Sequence, residues 1–92
     1  MIYKISISKR VIKFLKTCEK HIQKSFYEKV EIIAQDPFSA KAKADIKPIV
    51  WEENVFRLRI WNYRFIYSVI DEELVILFIN ADSRGGIYKN RK

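Results

Sequence analysis

Apolar and polar positions alternate at the start of the chain, shift to a three-to-four-residue rhythm, and alternate again through the second half. Residues 2 to 7, IYKISI, place Tyr3, Ile5 and Ile7 on one face and predict a first strand. Ser8 suits the N-cap of the helix that follows, in which Val11, Ile12, Phe14, Leu15 and Cys18 recur at helical spacing. A second helix is predicted from Lys20 or His21 to Gln35, with Ile22, Phe26, Val30 and Ile33 as its buried stripe and Tyr27 and Ile32 widening it. The two helices are expected to form an antiparallel hairpin broken between Thr17 and His21; since neither Gly nor Pro separates them, the alternative is that the second continues straight from the first. Asp36-Pro37 stops the second helix, because proline disfavours helical geometry in the residue before it.

Residues 38 to 53 lack a clear period and read as a loop, with room for a helical turn, leading to a strand near Ile49-Val50-Trp51. From 54 to 61 the alternation is clean, with Phe56, Leu58 and Ile60 on one face and Val55, Arg57, Arg59 and Trp61 on the other. Residues 63 to 70 and 73 to 81 form two further strands that are apolar on both faces, separated by a turn at Asp71-Glu72. Strands joined by such short turns are antiparallel neighbours. The order is β-α-α-β-β-β, an α+β fold: an N-terminal strand, a two-helix hairpin, then antiparallel strands forming one sheet with the helices packed on one face. Residues 1 to 92 are expected to form one domain.

Charge changes the picture. Eighteen Lys and Arg against eleven Asp and Glu give a formal net charge of +7, a balance that favours a polyanionic partner. The stretch FRLRIWNYRFIY carries Arg57, Arg59 and Arg64 and no acid, so a basic, partly aromatic patch is expected on the sheet face away from the helices or at its edge. Arg57 and Arg59 stand about 7 Å apart on one strand face. Such arginines either pair with Glu52, Glu53 or Asp71 on a solvated face or cradle a phosphate, for which the planar five-donor guanidinium is suited. The segment SRGGIYKNRK adds Arg84, Tyr88, Lys89 and Arg91 and places both glycines of the chain together, where they permit a tight turn and close approach of a ligand.

Other chemistries recede. One His and one Cys do not build a common zinc site, and no P-loop, dinucleotide fingerprint or Ser/His/Asp set is present. Neither a metal nor a cofactor is expected. Cys18, on the apolar helical stripe, is read as a small buried hydrophobe, and His21 as a surface or capping residue. Tyr63 and Tyr67 are expected to pack within the sheet. The lysines of the first helix read as a solvated face. No signal peptide and no run near the ~20 apolar residues of a membrane span are visible, so a cytoplasmic protein without a membrane role is expected.

At FRLRIWNYRFIYSV followed by ILFINADSRGGIYK the sequence resembles the RelE/ParE superfamily of bacterial and archaeal toxin–antitoxin toxins. Members read as a strand, a helical hairpin, an "RLR…YR…Y" pair of strands, another strand and an R-G-x-x-Y-like ending, often with D-P after the second helix. The same layout runs here from Ile2 to Tyr88. RelE-like toxins bind the ribosomal A site and cleave mRNA there, whereas ParE-like toxins inhibit DNA gyrase. The Arg84…Tyr88 ending resembles the RelE branch. The resemblance therefore implies a cofactor-free, ribosome-dependent mRNA endoribonuclease. The alternatives are a ParE-like gyrase inhibitor and a basic RNA-binding module without catalysis.

Metal-free cleavage uses the ribose 2′-OH as nucleophile. Arginine is a poor base, since its pKa exceeds ~12, and it serves to stabilise growing negative charge. The resemblance then assigns Arg64 and Arg84 to clamp the phosphate and Tyr88 to act as base, or to orient and stack. Arg57 and Arg59 supply positive field. Relatives often carry a further basic residue where this chain has Val55, and Arg57 is the stand-in for that leaving-group acid. Arg59, Lys47, Lys89 and Arg91 are candidate RNA-backbone contacts. The sequence runs four residues past Tyr88, shorter than relatives with a C-terminal helix. Implied partners are the ribosome and mRNA, and an acidic, amphipathic antitoxin segment that folds on binding. The chain is expected as a monomer or as part of a toxin–antitoxin heterocomplex.

Overall fold

The computed structural model describes residues 2–40 and 43–83. The first strand, β1 (Lys4–Ile7), leads through Ser8 into α1 (Lys9–Thr17) and then α2 (Lys20–Gln35). Ser8 caps α1, its Oγ accepting from the backbone N–H of Val11. The helices part at Cys18-Glu19, as expected without glycine or proline: the Cys18 N–H donates to the Leu15 carbonyl at 3.0 Å, and Glu19 takes an extended conformation. Four strands follow: β2 (Asp45–Pro48), β3 (Val55–Ile60), β4 (Tyr63–Ile70) and β5 (Val75–Ser83), with a short 3-10 turn at Asp71–Glu73 between the last two.

The five strands form one sheet in the order β1-β5-β4-β3-β2. The β2–β3, β3–β4 and β4–β5 pairs are antiparallel, as short turns require, whereas β1 lies parallel to β5, making the sheet mixed. The helical segment carries the chain from β1 at one edge of the sheet to β2 at the other, and the antiparallel β2–β5 run then brings β5 back beside β1.

Val11, Leu15, Ile22, Phe26, Val30 and Ile33 of the helices pack on Ile46, Leu58, Phe65, Tyr67, Ile76 and Phe78 of the sheet. The period-3.6 stripes and the period-2 alternation therefore meet in a single apolar layer. Ile12, expected on the stripe, is 38% exposed, because it stands beside Val11 on the turn that faces away from the sheet. Cys18 is buried and donates to the Phe14 carbonyl; burial pushes its thiol pKa up.

The strand expected near Ile49-Val50-Trp51 forms earlier, at Asp45–Pro48. Only Ile46 of those four residues is buried, so the alternation has one apolar position and leaves little pattern to read. Pro48 is tolerated because β2 is an edge strand. Val50 and Trp51 instead form the exposed β2–β3 turn, closed by the Ile49 N–H donating to the Val55 carbonyl at 2.8 Å.

Tyr67 is fully buried, stacked between Phe56 and Phe78, and its hydroxyl has no hydrogen-bond partner among the described residues. Burial drives its phenol pKa far above the usual value. An unmet buried hydroxyl costs about 1–3 kcal/mol. Tyr67→Phe is therefore expected to stabilise the fold by about 1 kcal/mol and raise Tm by about 4–8 °C in a thermal melt. A lower Tm would show that the hydroxyl has found an acceptor.

Candidate functional site

The helices leave one face of the sheet open, and strand registers decide what lies on it. Asp45 and Lys47 of β2 face Arg59 and Arg57 of β3, and Arg59 and Arg57 face Arg64 and Ile66 of β4. On β5 the regular alternation from Ile76 and Phe78 would send Asn80 and Asp82 toward the helices. A bulge prevents this. Ile66 pairs with Asn80 but Tyr67 pairs with Phe78, so Ile79 is the extra residue and the side chains beyond it change face. Asn80 and Asp82 thereby join Ile66 and Arg64 on the open side, while Ala81 packs against the core.

One rung across the sheet reads Asp45, Arg59, Arg64, Asp82, and the next reads Lys47, Arg57, Ile66, Asn80. Like charges directly opposite repel, and Asp45 relieves the Arg59–Arg64 pair. Its Oδ2 accepts from Arg59 Nε at 2.8 Å and its Oδ1 from Arg57 Nη2 at 3.0 Å. The neutralising carboxylate is thus Asp45, not Glu52, Glu53 or Asp71, because the β2 register places it beside both arginines. Asp71 instead accepts from the Tyr3 hydroxyl, which holds that phenol's pKa up. Asp82 turns its Oδ1 to the N–H of Ser83 at 2.8 Å.

Arg64 makes no hydrogen bond or ion pair among the described residues, and its Nε is buried without a partner, as is Arg57 Nε. Both guanidinium groups line a cleft of ≈ 440 Å³ with Trp51, Ile66, Asn80 and Asp82. A second concavity beside it adds Lys47 to Trp51, Arg57 and Arg64. Arg10 of α1 reaches the far rim, its Nη1 donating to Asn80 Oδ1 at 3.3 Å. Two half-buried guanidinium groups, one of them paired with a carboxylate, thus stand over an apolar floor, and the planar guanidinium fork is a donor geometry that matches an oxyanion.

Of the residues singled out in the sequence, Arg57, Arg64 and Lys47 converge here. Arg59 shares the face but is turned to the sheet edge by Asp45, its side chain 45% exposed. Arg84, Tyr88, Lys89 and Arg91 lie outside the described residues. The sequence pattern does not single out four residues at or beside the cleft: Asp45, Trp51, Asn80 and Arg10. Asn80 sits behind a bulge that carries no glycine, and Arg10 reads as one more cation on a solvated helix. Trp51 offered the one legible signal, a large aromatic in a turn between Val50 and Glu52. His21 is exposed and edge-on to Trp61 at the β3–β4 turn, and it does not line this cleft. Among the described residues no group of three or more His, Cys, Asp or Glu side chains is placed to hold a metal ion, and no helix is long and apolar enough to cross a membrane.

Comparison with known proteins gives this arrangement a lineage. Residues 5–88 match the model of the ParE toxin of the type II toxin-antitoxin system, parDE. The chain is 34% identical over 90 residues to the putative toxin RelE1 of Methanocaldococcus jannaschii, covering 98% of this chain and 99% of that one. The archaeal RelE-RelB complex from Pyrococcus horikoshii OT3 contains a chain that superposes with a TM-score of 0.81 at 30% identity, covering 92% of this chain and 98% of its own. A chain of the RelB-RelE antitoxin-toxin complex from Methanococcus jannaschii superposes with a TM-score of 0.76, also at 30% identity, covering 95% and 99%. With one toxin model spanning most of its length and RelE proteins as its relatives in sequence and in structure, the chain belongs to the RelE/ParE family of type II toxin–antitoxin toxins, on its RelE-like side.

Proposed function

We propose that this toxin is a ribosome-dependent mRNA endoribonuclease that works in the cytoplasm without a metal and is held in check by an acidic antitoxin. The observation that carries the reading is Arg64: half-buried in the cleft beside Arg57, and free of any carboxylate bond among the described residues. A guanidinium held there is preorganised for charge that appears only in a transition state. The RelE resemblance supplies the substrate class, and the two archaeal RelE relatives crystallised with RelB support the antitoxin.

In the reaction, the 2′-oxygen loses its proton, bonds to the adjacent phosphorus and displaces the 5′-oxygen, which takes up a proton. The products are a 2′,3′-cyclic phosphate and a 5′-hydroxyl end. Arg64 clamps the non-bridging oxygens, and Arg57 faces the leaving side in place of the basic residue absent at Val55. Roles for Arg84 as second clamp and Tyr88 as base follow from the resemblance; cations around a phenol favour its ionised form.

Primer extension on mRNA in a translation extract tests the reading. Codon-positioned cuts are expected from the wild type, with losses in Arg64→Ala, Arg84→Ala and Tyr88→Phe. The matching family model carries the name ParE, so a gyrase assay runs beside it. Intact mRNA together with trapped gyrase–DNA complexes would replace the nuclease with a gyrase inhibitor.

Asp45 provides a separate check. Its carboxylate occupies donors of two arginines that would otherwise reach phosphate oxygens. Each added phosphate contact steepens the salt dependence of single-strand binding by about 0.7 in log K against log salt. Asp45→Ala is expected to bind single-stranded RNA more tightly at low salt, with a slope steeper by about 0.7–1.4 across a salt titration. An unchanged slope would mean that Arg57 and Arg59 do not reach the RNA backbone.

A further inference from the structure

Every other prominently exposed ring of the described residues has a ring partner. Trp61 meets His21 at 5.7 Å, Phe38 meets Phe56 at 6.4 Å, and Tyr27 meets Phe26 at 5.2 Å. Trp51 has none and is 82% exposed. A bare tryptophan of that exposure contributes nothing to the core, so its place calls for another account. Its position is set by the turn beneath it, in which Ile49 N–H reaches the Val55 carbonyl at 2.8 Å and Glu52 N–H reaches the Ile49 carbonyl at 3.2 Å. From there Trp51 borders both concavities that hold Arg57 and Arg64.

We propose that Trp51 is a stacking wall for an unpaired nucleobase of the RNA whose phosphate lies between Arg57 and Arg64. This rests on the nuclease reading above and adds the residue that holds the base. A flat π-surface beside guanidinium groups is the combination that single-stranded nucleic acid uses, since every base has a π-face and every linkage a negative charge. Lys47 and Arg57 gather the anionic backbone into the cleft that Arg64 also lines. Glu52 and Glu53, next in the turn, repel a second phosphate from the rim, so the group that meets Trp51 is the base and not the backbone. The wall discriminates by stacking strength and by the presence of a base, and less by hydrogen bonding.

The chain has two tryptophans, so a Trp61→Phe protein reports Trp51 alone. The probe is a short single-stranded RNA with 2′-O-methyl groups, which removes the nucleophile. Saturable quenching of Trp51 fluorescence is expected. An abasic oligonucleotide of equal charge should bind without that quenching. Trp51→Ala should weaken binding of the base-bearing probe by about tenfold and leave the abasic probe unaffected, with Trp51→Phe restoring most of the loss. On programmed ribosomes Trp51→Ala should raise KM for cleavage more than it lowers kcat.

Equal quenching by the abasic probe, or unchanged RNA affinity in Trp51→Ala, overturns the proposal. So does a Trp51→Ala protein that loses only antitoxin affinity, which would make the ring a peptide contact. Arg64→Ala separates the two readings. If it abolishes the cuts while Trp51→Ala leaves them intact, the nuclease stands and the stacking wall falls. If the wild type makes no cuts, the nuclease falls, and the quenching experiment still decides for or against the base contact.

Discussion

On the proposed nuclease reading, Arg64→Ala is expected to lower codon-positioned mRNA cleavage by about 10²–10³-fold, the usual cost of removing one preorganised donor to transition-state charge. The loss should fall on kcat and kcat/KM alike, because a contact that strengthens only as the phosphorane forms contributes little to ground-state binding. Thermal stability should not fall with it. Arg64 has no bonded partner among the described residues and stands between Arg59 and Asp82, so its removal deletes a repulsion and an attraction that largely offset, and no hydrogen bond. Single-turnover cleavage and a thermal melt of the same preparation test both halves. Arg64→Lys should recover only part of the rate, since an ammonium keeps the charge but not the planar fork. A variant that cuts as well as the wild type would remove the cleft from the mechanism.

How far the sequence disclosed this site depends on the kind of interaction. The helices and the three long strands were legible because each buries a periodic stripe: Ile22, Phe26, Val30 and Ile33 on one side, Leu58, Phe65 and Val69 on the other. The helix break at Cys18-Glu19 fell within the expected span, although no residue there forbids a helix. β2 was misplaced because an edge strand of four residues with one buried side chain has no period to detect. The parallel pairing of β1 with β5 is a tertiary outcome, set by how the helical segment crosses the sheet. The arginine face was legible from alternation alone. Its partial neutralisation was not, since Asp45 reaches Arg57 and Arg59 through strand pairing across more than ten residues of chain.

The bulge at Ile79 is the clearest limit of pattern reading. Alternation carried through VILFINADS assigns Asn80 and Asp82 to the helix side, where a carboxylate would be buried at high cost. One inserted residue solves two problems: it keeps Ala81 against the core and turns the polar pair toward Arg64. The turns show the same economy. With both glycines in the tail, Asn54, Trp61 and Leu74 adopt positive φ angles of 58°, 60° and 54° themselves. Asn tolerates this; Trp61 and Leu74 each cost about 1–2 kcal/mol, and the strands they join must outweigh it. Tight hairpins require this geometry to match the strand twist.

That demand on the core makes Phe26→Ala a strongly destabilising change. Phe26 is fully buried on α2, with its ring centroid 4.6 Å from Phe65 on β4 and 5.2 Å from Phe78 on β5. It is the point where the helix layer grips the two central strands. Removing a buried phenylalanine side chain costs about 3–5 kcal/mol, from lost transfer energy and the cavity left behind. A chain of this length has about 5–14 kcal/mol in total, so about a fifth or more of its stability is at stake and Tm should fall by about 12–40 °C. Phe26→Leu keeps most of the volume and should lose far less. The same strands carry Arg64 beside Phe65 and, beyond the bulge, Asp82, so the cleft depends on the grip from below. A denaturant titration of both variants should show a lower midpoint with an unchanged slope. A reduced slope for Phe26→Ala would mean that its native state has already loosened, and its cleft geometry with it. If Phe26→Ala proved as stable as the wild type, the helices would not be seated on β4 and β5 through this ring.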